Sequence, residues 1–233
     1  MNLLILLTIA GGLVVDQHLA HGPVIVSAIA WLVLAALWAR RPRHERPALA
    51  ACLVFATAGE AFLSLVWGLY AYRLGNIPLF VPPGHVLLFF LGMQLAQRIP
   101  DRGEWWIAAL AAPLVALFAW NGRDTLGPLL YLLFLGCLFL SPSRKLYATM
   151  FVLSLAMELY GTWIGNWAWA GEVPWLGLKA ANPPLAAGAF YCVLDLLVVT
   201  ATRALGYPPA SPGLNASVAS HQAATWSARS SLR

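Results

Sequence analysis

The chain has 233 residues, of which 61% are hydrophobic and only 10% are charged, and its formal net charge is +5. A soluble domain is about 45–50% apolar and about 25% charged, so this composition argues against a soluble protein and indicates a membrane protein. The positive charge does not indicate nucleic-acid binding, because the basic residues stand in short loops between apolar runs.

Eight apolar runs are each predicted to form a transmembrane helix, since a span needs about 20 mainly apolar residues. The runs are continuous and lack the alternation of barrel strands, which predicts an all-α, polytopic membrane protein. No basic residues precede the first run, so it is interpreted as a helix and not as a cleaved leader. In chain order the predicted spans are Asn2–Val15, Pro23–Trp38, Pro47–Tyr72, Gly84–Gln97, Trp105–Trp120, Gly127–Leu140, Leu146–Trp169 and Leu185–Thr202.

The loop charges predict the orientation of these spans. The strongest basic block is Arg40–Arg46, and the positive-inside rule places it in the cytoplasm. Eight spans put further basic residues on that side, namely Arg98, Arg102, Arg144, Lys145 and Arg203. The opposite side receives only Arg73, Arg123 and Lys179. We therefore expect a multi-pass protein of the cell (inner) membrane with both termini in the cytoplasm.

The end of the chain differs from the rest in composition. From about Gly206 it is rich in Ala, Ser and Pro and has no hydrophobic period. Residues 204–233 are therefore predicted to form a disordered cytoplasmic tail.

Two segments follow one pattern: a mid-helix Glu, a Gly-x-aromatic-x-aromatic exit, a loop with proline, and a Pro-Pro before the next helix. The first runs from Glu60 to His85, and the second starts at Glu158; corresponding residues of the two copies are about 96–101 positions apart, so small gaps are needed. The pattern predicts two four-helix repeats, residues 1–103 and 104–203. An even number of spans per repeat makes them parallel, related by an axis along the membrane normal. The alternative is accidental likeness, because Gly, Pro and Trp are common at membrane exits.

Three acids lie inside predicted spans: Glu60, Glu158 and Asp195. An ionised carboxylate at the bilayer centre costs at least about 2.5 kcal/mol, so each is expected to face the bundle interior. Two neighbouring acids repel each other when both are ionised, so one of the glutamates is expected to hold a proton that it could donate. Asp195 is predicted to join the pair or to bond locally. The simpler alternative is a pair of neutral glutamates that hydrogen-bond neighbouring helices.

The histidines divide into two groups. His85 opens the fourth span after Pro-Pro-Gly, and we expect it to lie above Glu60, where it could relay protons. Asp16, His18 and His21 share the first outer loop, but their spacing matches no established metal motif. A solvated loop is the simpler interpretation of that group, and no metal site is predicted.

The exit segments supply aromatic side chains. These rings either anchor the protein at the membrane interface or form the wall of an apolar ligand site. The predicted ligand-binding residues are Trp67, Tyr70, Tyr72, Trp167, Trp169 and Asn182.

The sequence 59–85, with its second copy in 158–190, resembles the carotenoid-biosynthesis membrane proteins of bacteria and archaea. The likeness rests on Glu, Gly-x-Tyr-x-Tyr and a proline loop, then Glu, Gly-x-Trp-x-Trp and Asn-Pro. These proteins are the hydratase-like family, with the small membrane lycopene cyclases as more distant relatives. The cyclases would be expected to show Pro-x-Glu-Glu where this chain has Val81–His85 without an acid, which argues against cyclisation.

The resemblance implies acid-catalysed hydration or cyclisation of an alkene in an apolar isoprenoid, with no soluble cofactor. Its proton donor would be Glu60 or Glu158, and its partners would be the lipid bilayer and an isoprenoid-type ligand. Two other classes remain open, a small proton-coupled transporter and a non-enzymatic scaffold subunit. Spans four to six carry few polar groups for a water path to the cytoplasm, which favours an enzyme over a transporter.

Overall fold

The computed structural model describes residues 1–207, so the predicted tail lies outside the described residues except for residues 204–207. The described part is mostly helical, with eight helices and two three-residue strands. The helices are α1 (Asn2–His18), α2 (Gly22–Arg40), α3 (Arg46–Glu60), α4 (Val81–Ala96), α5 (Gly103–Trp120), α6 (Gly127–Leu140), α7 (Arg144–Ile164) and α8 (Gly188–Ala204). The strands are β1 (Tyr70–Tyr72) and β2 (Trp167–Trp169).

Three helical stretches are long and apolar enough to cross a membrane: α2, the stretch Arg46–Val66 that contains α3, and α5. Three further apolar helices, α1, α4 and α6, are shorter. Large apolar side chains stand on the outer surface of these helices; Leu32 and Leu110, for example, are each 69% exposed. Surfaces of this kind are compatible with a protein embedded in lipid.

A central bundle of four helices holds the molecule together. Both α3 and α7 pack against α4 and α8, so each predicted half contributes two helices to the centre. The α1–α2 pair packs mainly on α4, while α5 and α6 pack on α7, and α6 also contacts α8. Fully buried side chains such as Phe134 and Phe151, stacked at 4.1 Å between ring centroids, fill the space between these helices.

The third and seventh helices end earlier than the sequence predicted. α3 continues as a six-residue π-helical segment, Ala61–Val66, while α7 ends at Ile164. In both cases a glycine in the left-handed region follows and terminates the helix, Gly68 at φ 72° and Gly165 at φ 95°. The predicted spans Pro47–Tyr72 and Leu146–Trp169 were therefore too long, because their aromatic ends are not helical.

Those aromatic ends form a small antiparallel sheet. Tyr70 pairs with Trp169, Ala71 with Ala168, and Tyr72 with Trp167. The alanine pair lies at the middle of the ladder, and the four aromatic side chains are buried on one face of it. The exits of α3 and α7 thus meet at one end of the central bundle.

Candidate functional site

Glu60 is the last residue of α3 and is only 6% exposed. Its Oε2 accepts hydrogen bonds from the Tyr70 hydroxyl at 2.8 Å and the Tyr72 hydroxyl at 2.7 Å. Its Oε1 lies 3.2 Å from Nε2 of His85 on α4. Three ring-bearing side chains therefore hold this carboxyl group.

Glu158 on α7 has a matching environment and is also 6% exposed. Its Oε2 accepts from the indole N–H groups of Trp167 at 2.7 Å and Trp169 at 3.0 Å. The Tyr191 hydroxyl of α8 lies 3.2 Å from Oε1 and donates to it. Each glutamate thus receives two donors from the strand that follows its own helix and one from the next helix.

His85 and Tyr191 connect the two glutamates. Their rings stack with centroids 5.1 Å apart and planes 8° apart. The Nδ1 of His85 lies 3.0 Å from the carbonyl oxygen of Val81, so this nitrogen carries a hydrogen and donates it. Nε2 faces a carboxyl oxygen of Glu60, and this contact is attractive only if a proton lies between the two atoms. The Glu60–His85 pair therefore shares one proton.

Two cavities flank this cluster, one of about 310 Å³ and a smaller one of about 60 Å³. The walls of both include the same five side chains: Glu60, Tyr70, His85, Glu158 and Tyr191. The smaller cavity extends toward α1 and α2, where Thr8 and Val26 line it. Both glutamates therefore face the same two spaces, with the His85–Tyr191 stack at the boundary.

The larger cavity is apolar and opens at the side of the bundle. Beyond the shared cluster its wall combines aliphatic side chains with five aromatic ones, Phe55, Phe62, Trp67, Trp169 and Phe190. Phe62, Leu133 and Leu197 also line it and are 47%, 40% and 45% exposed. We call the opening bounded by these three residues the side window. A cavity with such walls suits an apolar ligand and lies at the lower end of the usual size range of about 300–1,000 Å³.

The remaining predicted residues lie beside the cavities or away from them. Trp67 lines the larger cavity, and its indole donates to the carbonyl of Pro174 at 2.8 Å. Asn182 lines neither cavity; its Oδ1 accepts the backbone N–H of Trp169 at 2.9 Å. Asp195 is completely buried in α8 and also lines neither cavity.

Asp16 and His18, predicted to lie in a solvated loop, are instead in the last turn of α1, and Asp16 forms a buried ion pair there. Asp16 is 2% exposed and accepts from Arg73 Nε at 3.3 Å and from the Asn166 side-chain amide at 2.8 Å. These contacts tie the end of α1 to both exit segments. Among residues 1–207, no three His, Cys, Asp or Glu side chains lie in an arrangement that could hold a metal ion.

A second loop anchor lies in the α5–α6 connection. Asp124 accepts the backbone N–H groups of Gly127 and Leu185, each at 2.9 Å, and so fixes the segment that precedes α8. Burial raises the pKa of the Asp124 carboxyl, and the backbone N–H donors oppose that rise.

Sequence reasoning missed the role of Tyr191. Its signal was available, because Tyr191 lies four residues before Asp195 and therefore on the same face of α8. A further contribution comes from Gly161, because a Cβ at that position would collide with the Trp167 indole that reaches Glu158.

The site combines a shared proton, two carboxyl groups and an aromatic, apolar cavity, which are the parts that proton transfer to an apolar substrate requires. Comparison with protein-family models, with curated proteins and with solved structures found no match for this chain.

Proposed function

We propose that this chain is a membrane enzyme that protonates an alkene of an apolar isoprenoid of the carotenoid type and hydrates it. The observation that carries the proposal is the 3.2 Å contact between Glu60 and His85, which requires a shared proton, on the wall of a cavity with a side window. Hydration is preferred to cyclisation because Val81–His85 contains no acid. The resemblance in the exit segments points to the same substrate class.

The proposal includes eight membrane spans with both termini in the cytoplasm. Its support is that α3 and α7 both begin next to basic residues, Arg46 and Arg144, and that both lead to the paired strands at the other end. Two parallel four-helix repeats would have this arrangement. β1 and β2 pair in an antiparallel manner, with Ala71 opposite Ala168 at the centre. A two-fold axis along the membrane normal that passes between these two alanines would relate the strands in this way.

The reaction would proceed in two steps. The proton shared by Glu60 and His85 adds to one alkene carbon, and the π electrons form the new C–H bond, which leaves a carbocation at the neighbouring carbon. The oxygen of a water molecule then bonds to that cation, and a carboxylate takes the released proton. Glu158 is assigned this second role because it faces the same cavities. Glu158 then returns a proton to the Glu60–His85 pair. The net reaction is the addition of one water molecule to the alkene.

The aromatic residues would act in two ways. Tyr70, Tyr72, Trp167 and Trp169 orient the two carboxyl groups through hydrogen bonds. Aromatic ring faces stabilise a nearby cation by about 0.5–2 kcal/mol, so the rings on the cavity wall would lower the energy of the carbocation.

Product analysis in cells that make linear isoprenoids tests the proposal. Expression of the full chain should convert one isoprenoid into a product heavier by one water, as seen by mass spectrometry of lipid extracts. Glu60→Gln and Glu158→Gln should lose this product. Glu104→Gln should keep it, because Glu104 is buried at the start of α5 and lines neither cavity.

Three outcomes would count against the enzyme. If expression of the chain changes no isoprenoid in the lipid extracts, the proposed hydration is wrong. Full activity in both site variants, folded in membranes at normal level, would make the glutamates structural. An unchanged lipid profile with altered uptake of a solute would favour a proton-coupled transporter.

A further inference from the structure

Asp195 is a buried acid that the proposed reaction does not use. It is 0% exposed in the middle of α8, and neither carboxyl oxygen has a hydrogen-bond partner in the part of the chain that the structure describes. An ionised carboxylate without partners is strongly disfavoured in such a place, so the group is neutral and holds a proton.

Among residues 1–207, Asp195 forms no ion pair with a lysine or arginine. α8 packs against α3, α6 and α7, and the titratable groups that interact with Asp195 from these helices, from α4 and from α8 itself are Cys52, Cys137, Tyr147, His85, Tyr191 and Cys192. Arg203, two turns further along α8, interacts with Tyr147. All three cysteines are free thiols. Neutralisation by an ion pair is therefore not the role of this carboxyl group.

On one side Asp195 borders the glutamate site. Tyr191 lies one helical turn away on the same face of α8, and its hydroxyl donates to Glu158 at 3.2 Å. Asp195 is thus one turn of α8 from the residue that bonds Glu158.

On the other side a polar pair leads toward the basic end of the bundle. The Cys192 thiol donates to the carbonyl of Tyr147 at 3.2 Å, which places Tyr147 of α7 against the face of α8 that carries Asp195. The Tyr147 hydroxyl is buried and lies 3.0 Å from Oγ of Ser141. Ser141 directly follows α6, three residues before Arg144.

We propose that Asp195 is a proton relay between the glutamate site and the basic end of the bundle, with Tyr147 and Ser141 as the outer part of the route. Because Asp195 has no hydrogen-bond partner among the described residues, a rotation of its side chain or an intervening water molecule must connect it to each tyrosine hydroxyl. When Asp195 then gives its proton toward Tyr191, a proton that arrives through the Tyr147 hydroxyl replaces it. Each hydroxyl gives one proton and receives one, so no group changes its charge over a cycle. The route does not depend on the proposed substrate.

Infrared spectroscopy of the full chain in lipid bilayers tests this inference without any substrate. A protonated carboxyl group has a carbonyl band that a carboxylate lacks, and the band shifts when the proton exchanges for deuterium. Asp195→Asn should remove one such band, which the spectra of Glu60→Gln and Glu158→Gln should retain. If Asp195→Asn leaves the carboxylic-acid region unchanged, Asp195 is not protonated and the proposal fails.

The exchange rate of that band tests the route itself. Tyr147→Phe keeps the ring but removes the hydroxyl, and we expect it to slow deuterium exchange of the Asp195 band at least several-fold. Thr202→Val is the matched control, because the Thr202 hydroxyl is buried in α8 but bonds only to carbonyl groups of its own helix. Equal exchange rates in wild type and Tyr147→Phe would overturn the route. Failure of the hydration assay would leave both infrared results unaffected.

Discussion

Tyr72 and Trp167 lie opposite each other in the two-stranded sheet, with ring centroids 6.0 Å apart, yet they donate to different glutamates. Tyr72 donates to Glu60 and Trp167 to Glu158. The strand pair therefore fixes the position of each carboxyl group relative to the other, and a change in one strand should affect both.

Removal of the Tyr72 hydroxyl should destabilise the protein. Glu60 is a carboxylate when the proton that it shares with His85 lies on the imidazole. A hydrogen bond to a charged group contributes about 1.5–3 kcal/mol, so Tyr72→Phe should then lower the free energy of unfolding by about that amount. Tyr131→Phe is the control, because Tyr131 donates to the neutral carbonyl of Ala108 at 2.9 Å and should cost only about 0.5–1.5 kcal/mol. Chemical unfolding in mixed micelles measures both. Equal costs would argue against a charged acceptor at Glu60.

A methyl group at Gly161 should displace Trp167. Because a Cβ there would collide with the indole ring, Gly161→Ala should cost about 1–3 kcal/mol of stability and weaken the bond between Trp167 and Glu158. Gly136→Ala in α6 is the control, since nothing lies within 4 Å of a Cβ at that position. Thermal unfolding and tryptophan emission report the two effects. A Gly161→Ala protein as stable as Gly136→Ala would contradict the packing.

A large side chain at the side window should hinder entry of an apolar ligand. Leu197→Trp should reduce conversion of the isoprenoid several-fold at limiting substrate, with little change in stability, because Leu197 is 45% exposed. Leu129→Trp places the same side chain on α6 at a 50% exposed position that does not line the cavity. Initial rates at several substrate levels measure the difference. If Leu197→Trp and Leu129→Trp convert the isoprenoid at equal rates, the side window is not the entry route of the ligand.

Asn182 should position β2 without touching the ligand. Asn182→Asp keeps an oxygen for the Trp169 N–H and should retain most activity, whereas Asn182→Ala should lose about 1–3 kcal/mol by leaving a buried donor unpaired. Product yield together with unfolding free energy separates the two variants. Loss of activity in the aspartate variant, with stability intact, would instead indicate ligand contact.

Reporter fusions test the orientation. A reporter placed after Arg46 should be cytoplasmic, and one placed after Lys179 should lie on the opposite face, because the loop charges differ in this way. Activity of both reporters on one side would refute the eight-span topology.

Helix positions and the buried acids could be predicted from the sequence, for clear physical reasons. Continuous apolar runs form helices in lipid, and a carboxyl group within such a run must turn inward. The prediction that Glu60, Glu158 and Asp195 are buried is confirmed by the structure. The membrane topology, the repeat and the catalytic roles are still predictions.

The contacts between the exits could not be predicted. Three-residue strands carry no detectable period, and an aromatic residue such as Tyr70 or Trp169 at the end of an apolar run fits an interfacial anchor equally well. The role of Asn182 depends on a backbone group 13 residues away. Asp195 does not line the cavities that the two glutamates face, because of the position at which α8 begins. The conformation of the loop before α8 sets that position.

The π-helical segment has a consequence for tolerance to deletions. Glu60 and Gly68 are separated by one residue more than Glu158 and Gly165, and the wide turn of Ala61–Val66 absorbs that residue. Deleting one residue from this segment would convert it to an ordinary α-helix with the spacing of the second copy, so the tyrosines could still reach Glu60. The same deletion after Glu158 would rotate the rest of α7 by about 100° and carry Trp167 away from its carboxyl group. Length variation between the glutamate and its strand should therefore be accepted in the first exit and rejected in the second.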